Sequence, residues 1–327
     1  SFRTPRDRET ISHQAPDDAR FAAVQGYFET RGVEHKVRLA IEPRQKSVWV
    51  DGKTLRSLSE LWGMLPAVFF SPSDLSIVQG APALRRNSID TILGQTNPAY
   101  LRTLTAMNKA IQSRNSLLRR DVPPGDPQYG AFEATLAETA ATILLERARL
   151  IIELDQFARE PVANLTEGNE HLRLVYEPGI AHSPLDPENL PDQKALTNWL
   201  KQHWKAQRAH DIERCVTREG PHRDDLKFEI AGIDARTYGS QGQVRTCVLA
   251  LRLAELKVLE HRSGTRPLLL LDDILGELDH QRSRRFLRLV AREEVQTIVT
   301  ATDATELEES LPIARRFHVE DGRVEAV

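Results

Sequence analysis

Leu268-Leu269-Leu270-Leu271-Asp272-Asp273 is the stretch of this sequence that decides the fold. Four consecutive leucines predict a buried strand, because strands inside a parallel sheet are covered by helices on both faces. Two carboxylates follow at the carboxyl end of that strand. Since ligands of open α/β sheets bind at the carboxyl ends of the strands, Asp272 and Asp273 are candidate site residues.

The two adjacent acids favour a bound cation or strong hydrogen-bond donors. Neighbouring carboxylates repel each other, and burying one without a partner costs free energy. Mg²⁺ held partly by carboxylates and partly by phosphate oxygens meets both conditions. The alternative is that Asp272 and Asp273 are surface acids that cap a helix just beyond the strand.

Two glycine-containing stretches flank this strand in the sequence. Gly276-Glu277-Leu278-Asp279 predicts a tight turn leading into a helix, and Tyr238-Gly239-Ser240-Gln241-Gly242-Gln243 lies where a loop becomes a helix N-terminus. Glycine lets the backbone approach a ligand, and the free N–H groups of a helix N-terminus favour an anion. Alone, the second stretch is typical of a simple capped turn.

The second half of the chain alternates strands with helices, which predicts a parallel sheet. The expected elements are strands at 227–230, 267–271 and 296–300, helices at 243–260 and 281–291, and a closing strand at 312–319.

The first half begins with a sheet-like pattern and then becomes helical. Strands are expected at 34–41, 47–50 and 66–70, with a hairpin turn at Asp51-Gly52. Helices are expected at 98–120, 131–159 and 192–214, and a further strand at 171–176 lies between the last two. The two long helices, joined by a proline-rich breaker, fit a helical insertion projecting from a sheet domain and fit a helix-rich second layer equally well.

Length and composition narrow the class of protein. The chain has 327 residues, which suggests two domains or one domain with a large insertion, and its 40% apolar and 28% charged residues are typical of a globular protein. A net charge of −3 does not by itself indicate a nucleic-acid binder. Apolar stretches fall short of the roughly 20 residues of a membrane helix. The cysteines, Cys215 and Cys247, form no CxxC pair and favour a reducing, cytoplasmic compartment.

These motifs resemble those of the ABC-type ATPases. Ser240–Gln243 resembles their signature motif, Leu268–Asp273 their Walker B strand and Gly276–Asp279 their D-loop, while Thr300–Asp303 lies at the position of their switch residue. Three further stretches resemble the RecF family of bacterial recombination mediators, over essentially the whole chain: Phe70–Leu75, Gln112–Leu118 and Gly220–Leu226.

The resemblance implies an α/β fold, an ABC-ATPase head of the SMC type with a mixed or parallel sheet and an inserted helical arm. The expected parts are 1–73 for the first part of the head, 74–210 for the arm and 211–327 for the second part of the head. It also implies a slow DNA-stimulated ATPase that forms an ATP-dependent homodimer on single- and double-stranded DNA. RecR and RecO would be its partners in gap repair, replication restart and the SOS response, in the cytoplasm and without a membrane.

By position, the resemblance gives roles to three residues near the strand ends. Asp272 would hold Mg²⁺ through water, Asp273 would orient or deprotonate the attacking water, and Thr302 would sense the γ-phosphate. Transporters usually have glutamate at the position of Asp273, and the shorter acid fits slow hydrolysis.

The resemblance gives the signature motif a role across a dimer. Ser240 and Gly242, with Gln241 and Gln243 in the same motif, would meet the γ-phosphate of ATP bound to the opposite subunit. Asp279 would bridge the dimer interface.

The sequence departs from the ATPase pattern at the P-loop, which needs G-x-x-x-x-G-K-[ST]. Gly52-Lys53-Thr54 has Ser47 where the first glycine belongs, follows a hairpin turn and is expected to precede no helix, so it is interpreted as a chance match. We therefore expect that this chain lacks the P-loop and cannot hold ATP, whereas the full-length protein can.

Two other functions remain possible at this point. One is a DNA- and RecR-binding adaptor without hydrolysis. The other is a metal-dependent phosphohydrolase built on Asp272 and Asp273, for which the sequence offers no third ligand at a suitable spacing.

The remaining candidate residues are more consistent with structural roles. His222, Asp224 and Asp225 could form a metal cluster, but consecutive residues of an extended segment point in opposite directions, which favours a hydrogen-bonded turn. Arg85-Arg86 and Arg119-Arg120 are expected to be solvated rather than bound to DNA. Trp199 and Trp204 are expected in the core.

Overall fold

The amino-terminal part is an antiparallel sheet. The computed structural model describes residues 7–11, 21–43, 45–55, 58–120, 122–273, 276, 278–302, 305–320 and 323–327. The sheet order is β1-β2-β3-β4, and its strands are β1 (Ala22–Thr30), β2 (Val33–Ile41), β3 (Lys46–Val50) and β4 (Lys53–Thr54). The strands predicted at 34–41 and 47–50 are confirmed as β2 and β3.

The predicted hairpin turn at Asp51-Gly52 is also confirmed. Both residues have positive φ, 51° and 77°, and the turn joins β3 to β4. Lys53 and Thr54 therefore belong to a strand ladder, an arrangement unlike a phosphate-cradling loop. The expectation that no helix follows is wrong, because α1 (Leu58–Trp62) begins four residues after Thr54.

The middle of the chain is helical, as predicted from residue 74 onward. Two long helices begin at side-chain caps: Asn97 Oδ1 accepts from the Ala99 amide at the start of one, and Asp126 accepts from the Gln128 amide at the start of the other. The elements are β5 (Ala67–Phe70), α2 (Leu75–Gln79), α3 (Pro82–Thr96), α4 (Pro98–Leu118), α5 (Pro127–Thr166), β6 (Leu172–Glu177) and α6 (Gln193–Arg214). Helix α5 has 40 residues and is longer at both ends than predicted.

The remaining elements return to the α/β pattern. They are β7 (Asp225–Ile230), β8 (Ile233–Asp234), α7 (Ala235–Tyr238), α8 (Gln241–Ser263), β9 (Leu268–Asp272), α9 (His280–Arg292), β10 (Thr297–Thr300), α10 (Thr305–Ser310), β11 (Phe317–Glu320) and β12 (Arg323–Ala326). The strand predicted at 227–230 is confirmed as β7, but it lies in an antiparallel sheet with β6 and β8 and not in the predicted parallel sheet. The predicted closing strand is corrected: it begins at Phe317, and it pairs with β12 in a separate hairpin.

The predicted parallel sheet contains β10, β9 and β5 in that order, with β9 in the centre. Leu269 and Leu271 are buried on one face of β9, and Leu268 and Leu270 are half-buried on the other. The four leucines thus occupy the central position that their sequence predicted. Because the three strands run in the same direction, they all end at one edge of the sheet.

Helix α5 packs against both α4 and α8, so the helical layer and the sheet-bearing half are in contact. Buried apolar residues from β5, α5, α8, β9 and α9 belong to one continuous core. For α5 these contacts favour the helix-rich layer over a projecting insertion, while the bounds 74–210 remain a prediction. No helix in the described part of the chain combines the length and the apolarity needed to cross a bilayer.

The two cysteines should differ sharply in reactivity. Cys247 lies in the second turn of α8 with no exposed surface, and burial raises the pKa of its thiol to about 12, whereas Cys215 is exposed at the end of α6. Because thiolates are the reactive species, a thiol reagent at pH 8 should label only Cys215 in the native protein and both cysteines after unfolding. Mass spectrometry of the labelled peptides measures this, and rapid native labelling of Cys247 would contradict the packing of α8.

Candidate functional site: a carboxylate edge and a signature turn

Asp272, one of the predicted site acids, lies at the carboxyl edge of the parallel sheet. It is the last residue of β9 and is half-buried beside Thr300, the last residue of β10. The Thr300 hydroxyl donates a 2.6 Å hydrogen bond to Asp272 Oδ1. This bond fixes the carboxylate at the position where an α/β sheet binds ligands.

Asp273 follows with its side chain exposed. Its amide donates to the Thr300 carbonyl at 3.1 Å, so the backbone stays attached to β10 for one residue beyond the strand. Its φ is 51°, in the left-handed region that non-glycine residues rarely adopt. Because its side chain is exposed, the Asp273 carboxylate is accessible to a ligand at this edge of the sheet.

The third strand of the sheet, β5, ends at the same edge in a capped turn. The Ser71 amide donates a 3.0 Å hydrogen bond to Asp74 Oδ2, and Asp74 also lies 3.0 Å from the guanidinium of Arg252 on α8. The Ser-Pro-Ser-Asp stretch therefore ties the edge of the sheet to helix α8.

The signature turn is the N-terminus of α8. Ser240 is the N-cap, and its Oγ accepts from the Gln243 amide at 3.2 Å, while Gln243 Oε1 accepts from the Ser240 amide at 2.9 Å. This reciprocal pair is a capping box. Ser240 and Gln241 are exposed and Gly242 is half-buried, so the turn is open to solvent in this chain.

A residue in the connection between α5 and β6 holds the turn in place. Gln243 Nε2 donates a 2.8 Å hydrogen bond to Glu170 Oε1, which fixes the orientation of the amide that caps Ser240. Sequence reasoning missed Glu170, because 73 positions separate it from Gln243 and nothing in the local pattern connects them.

Asp279, which the sequence placed in the D-loop by resemblance, is the N-cap of α9. The Arg282 amide donates a 3.0 Å hydrogen bond to Asp279 Oδ1, and this backbone hydrogen bond lowers the pKa of Asp279 below its usual range. The carboxylate is therefore ionised at neutral pH. The side chain of Arg282 extends from Asp279 to the signature turn, where it lies against Gly242.

The residues of the candidate site, predicted and newly found, thus fall into two groups. The carboxylate edge contains Asp272, Asp273 and Thr300, and the signature cluster contains Ser240, Gln241, Gly242, Gln243, Asp279 and Arg282. Thr302 is exposed two residues beyond β10, on the chain that leaves the carboxylate edge. Arg282 was not predicted, although its position one helical turn after Asp279 was visible in the sequence.

The Gly220–Leu226 stretch is structural, as predicted. Pro221–Arg223 forms a single 3₁₀ turn, and Asp224 accepts from Arg147 Nη1 at 2.7 Å and from the Gly179 amide at 2.8 Å. Asp225 receives a bidentate pair from Arg85, with distances of 2.6 and 2.9 Å. The two acids thus bind arginines of α5 and α3 and attach β7 to the helical layer.

The Gln112–Leu118 stretch is also structural. Arg114 is completely buried and donates to Asp211 at 2.6 Å, to the Thr217 hydroxyl at 2.9 Å and to Glu133 at 3.3 Å. Arg208 pairs with the same Glu133. This network joins α4, α5 and α6. The sequence pattern showed the Gln112–Leu118 motif, but it could not show which residues Arg114 contacts.

The predictions for exposed arginines are confirmed in part. Arg119 and Arg120 are exposed, as expected, but Arg85 is buried and Arg86 is half-buried and donates to the Asp224 carbonyl. Trp204 is fully buried, as predicted, and Trp199 is partly buried against the core and stacks on His203.

The carboxylate edge fits Mg²⁺ better than it fits a metal bound by protein ligands alone. Within the described residues, no group of three His, Cys, Asp or Glu side chains could hold a metal ion. Mg²⁺ usually keeps several waters and uses one or two carboxylates together with substrate phosphates, and Asp272, fixed by Thr300, supplies a carboxylate of that kind.

Comparisons with known proteins agree on one family. The chain is 36% identical over 346 residues to the DNA replication and repair protein RecF of Chloroflexus aggregans, covering 98% of this chain and 87% of that protein. It is 40% identical over 306 residues to RecF of Synechococcus sp. strain JA-3-3Ab, covering 92% of this chain and 78% of that protein. No family model matches the chain.

Solved structures give the same result. The recombination mediator protein RecF-ATP in the RecFOR pathway superposes with a TM-score of 0.84 at 28% identity, covering 100% of this chain and 84% of that chain. The RecF-ATPrS structure superposes with a TM-score of 0.79 at 28% identity, covering 94% of this chain and 80% of that chain. The expected α/β ATPase-head fold is confirmed, and the chain belongs to the RecF family of DNA replication and repair proteins.

Proposed function

We propose that this protein, in its full-length form, is a recombination mediator that binds ATP and Mg²⁺, dimerises on DNA and acts with RecR and RecO. Its proposed roles are gap repair, replication restart and SOS induction in the cytoplasm. The observation that carries the proposal is the division of the site residues into two groups on one chain. Each group supplies half of a nucleotide site, and the second half comes from another molecule.

The solvent-exposed signature turn supports this division. Ser240 and Gln241 are exposed at the N-terminus of a helix of 23 residues, where backbone N–H groups and the helix dipole favour an anion. Asp279 and Arg282 lie beside the turn. In a two-fold dimer, both partners would present this surface to the γ-phosphate held by the other.

The carboxylate edge supports the hydrolytic half of the proposal. Asp272 would hold Mg²⁺ through water, and the ion, when bound, would neutralise charge on the phosphate oxygens. Asp273 would orient the attacking water and receive its proton. Hydrolysis forms a bond between the water oxygen and the γ-phosphorus and breaks the γ-phosphorus bond to the bridging oxygen, whose electron pair leaves on ADP. Thr302 would report the γ-phosphate to the chain beyond β10.

Replacing Ser240 tests the proposed role of the signature turn in the dimer. Both Ser240→Ala and the control Asp192→Ala remove an exposed N-cap and should cost about 1 kcal/mol of stability. Only Ser240→Ala should weaken ATP-dependent dimerisation of the full-length protein, by about tenfold, because it alone removes a hydrogen bond to a charged phosphate. Sedimentation velocity with ATP and Mg²⁺ measures both variants.

If the two variants dimerise equally well, the proposed contact between Ser240 and the nucleotide of the other subunit is wrong. A full-length protein that binds DNA and RecR equally well with and without ATP would instead be the adaptor without hydrolysis.

DNA binding should depend on salt. Each phosphate contacted should contribute about −0.9 to the slope of log K against log salt concentration on duplex DNA. Fluorescence anisotropy over a salt series measures the slope for the full-length protein with ATP. A flat response would argue that DNA is not the ligand.

A further inference from the structure

Arg282 occupies a position between the D-loop and the signature turn that the proposed roles leave unexplained. It lies in the first turn of α9, and its Nη1 is 3.3 Å from Asp279 Oδ2. The Asp279 side chain is 56% exposed and the Arg282 side chain is 29% exposed. Solvent screens an ion pair of this distance and exposure, so the attraction between the two side chains is weak. The guanidinium is therefore available to pair with an anionic ligand.

The guanidinium lies directly over the signature glycine. A Cβ atom added to Gly242 would come within 2.5 Å of Arg282 Nη1 and 3.0 Å of Cζ. A side chain at position 242 would therefore displace the arginine. Glycine at this position leaves room for the Arg282 guanidinium at the turn where the proposed γ-phosphate would bind.

The chemistry of a guanidinium matches a phosphate at this place. Its planar fork of N–H donors fits phosphate oxygens in a bidentate manner, and an arginine supplied to a transferring phosphoryl group stabilises the charge of the transition state. Ser240, whose hydroxyl is the proposed γ-phosphate ligand, begins the same turn.

We infer that Arg282 is a catalytic residue acting in trans, which contacts the γ-phosphate of ATP bound to the opposite subunit. It forms no bond to phosphorus and acts through its charge. This inference rests on the proposed ATP-dependent dimer.

Arg282→Gln in the full-length protein should lower kcat for ATP about 10²-fold or more, the range found for removing one preorganised donor. Binding of a fluorescent ATP analogue to the monomer should stay within about twofold of wild type, because the residue acts on the other subunit's nucleotide. The control is Arg284→Gln, which changes a neighbouring arginine of α9 that pairs with the exposed Glu309. It should retain wild-type turnover.

Mixing two inactive variants tests whether Arg282 acts in trans. In a mixed dimer of Arg282→Gln and Asp273→Asn, one site has an intact Asp273 from the first chain and an intact Arg282 from the second. Random pairing of equal amounts should restore about one quarter of wild-type turnover, because half the dimers are mixed and one of their two sites is complete. Turnover no greater than that of the separate variants would overturn the inference.

A double-mutant cycle separates phosphate contact from support of the D-loop. If Arg282 acted only by positioning Asp279, adding Arg282→Gln to Asp279→Ala would cost no further turnover. We expect a further loss of about tenfold or more; its absence would overturn the contact. Failure of the wild-type protein to dimerise with ATP would reject the proposed function and, with it, the contact in trans. A normal wild-type dimer with no further loss in the double mutant would overturn the contact alone.

Discussion

Asp273→Asn is expected to bind ATP as wild type does and to hydrolyse it about 10²-fold or more slowly, because the amide cannot accept the proton of the attacking water. The substitution preserves the shape of the side chain, and the Asp273 amide would still donate to the Thr300 carbonyl. Since hydrolysis ends the dimer in the proposed cycle, the ATP-bound dimer should last correspondingly longer.

Single-turnover hydrolysis and dimer lifetime, measured on the full-length protein, check both expectations. Asp192→Asn is the matched control, because asparagine and aspartate cap helices equally well and the change removes the same charge from an exposed cap on α6. Unchanged turnover in Asp273→Asn would count against the proposed role of this acid.

Arg147→Met is expected to destabilise the protein by about 3–5 kcal/mol, the cost of breaking a buried ion pair by removing one partner. Arg147 is almost fully buried on α5, and it pairs with Asp90 at 2.9 Å and Asp224 at 2.7 Å. It also donates to the Pro221 carbonyl at 2.6 Å. Methionine would fill much of the space but leave both carboxylates without their cation.

Arg149→Met is the control for this prediction. It lies two residues along the same helix, its side chain is 53% exposed, and its partner Glu146 is on the same helix. Exposed pairs contribute about 0–1 kcal/mol, so this change should alter the free energy of unfolding by no more than about 1 kcal/mol. Urea unfolding at neutral pH measures both variants, and similar midpoints would show that the Arg147 network does not hold α5 to the Asp224 turn.

The sequence predicted the elements whose signals are local. The four leucines before Asp272 predicted a central strand because burial on both faces requires a continuous apolar run. The turn at Ser240 was predicted because glycine and serine just before an apolar helical run are typical of a capped helix N-terminus. The site acids were predicted to lie at the sheet edge for the same local reason, since they directly follow the strand.

Features that depend on distant residues could not be predicted in the same way. Arg114 and Arg147 look like ordinary helical arginines, and their burial follows only from acids that the fold brings to them from other elements. Glu170 acquires its contact with Gln243 in the same manner. The closing strand was extended too far because Pro312 and Ile313 continue an apolar run that the backbone does not use for pairing.

The left-handed backbone at Asp273 has a consequence for how this protein could be engineered. Glycine would adopt that φ of 51° without the steric penalty of a side chain, which is of the order of 1 kcal/mol. A programme that selects only for heat resistance would therefore accept Asp273→Gly and discard the acid. If Asp273 has the proposed role in hydrolysis, selection for thermal stability and selection for ATP turnover would favour different residues at this position, so a stability screen needs a turnover assay beside it.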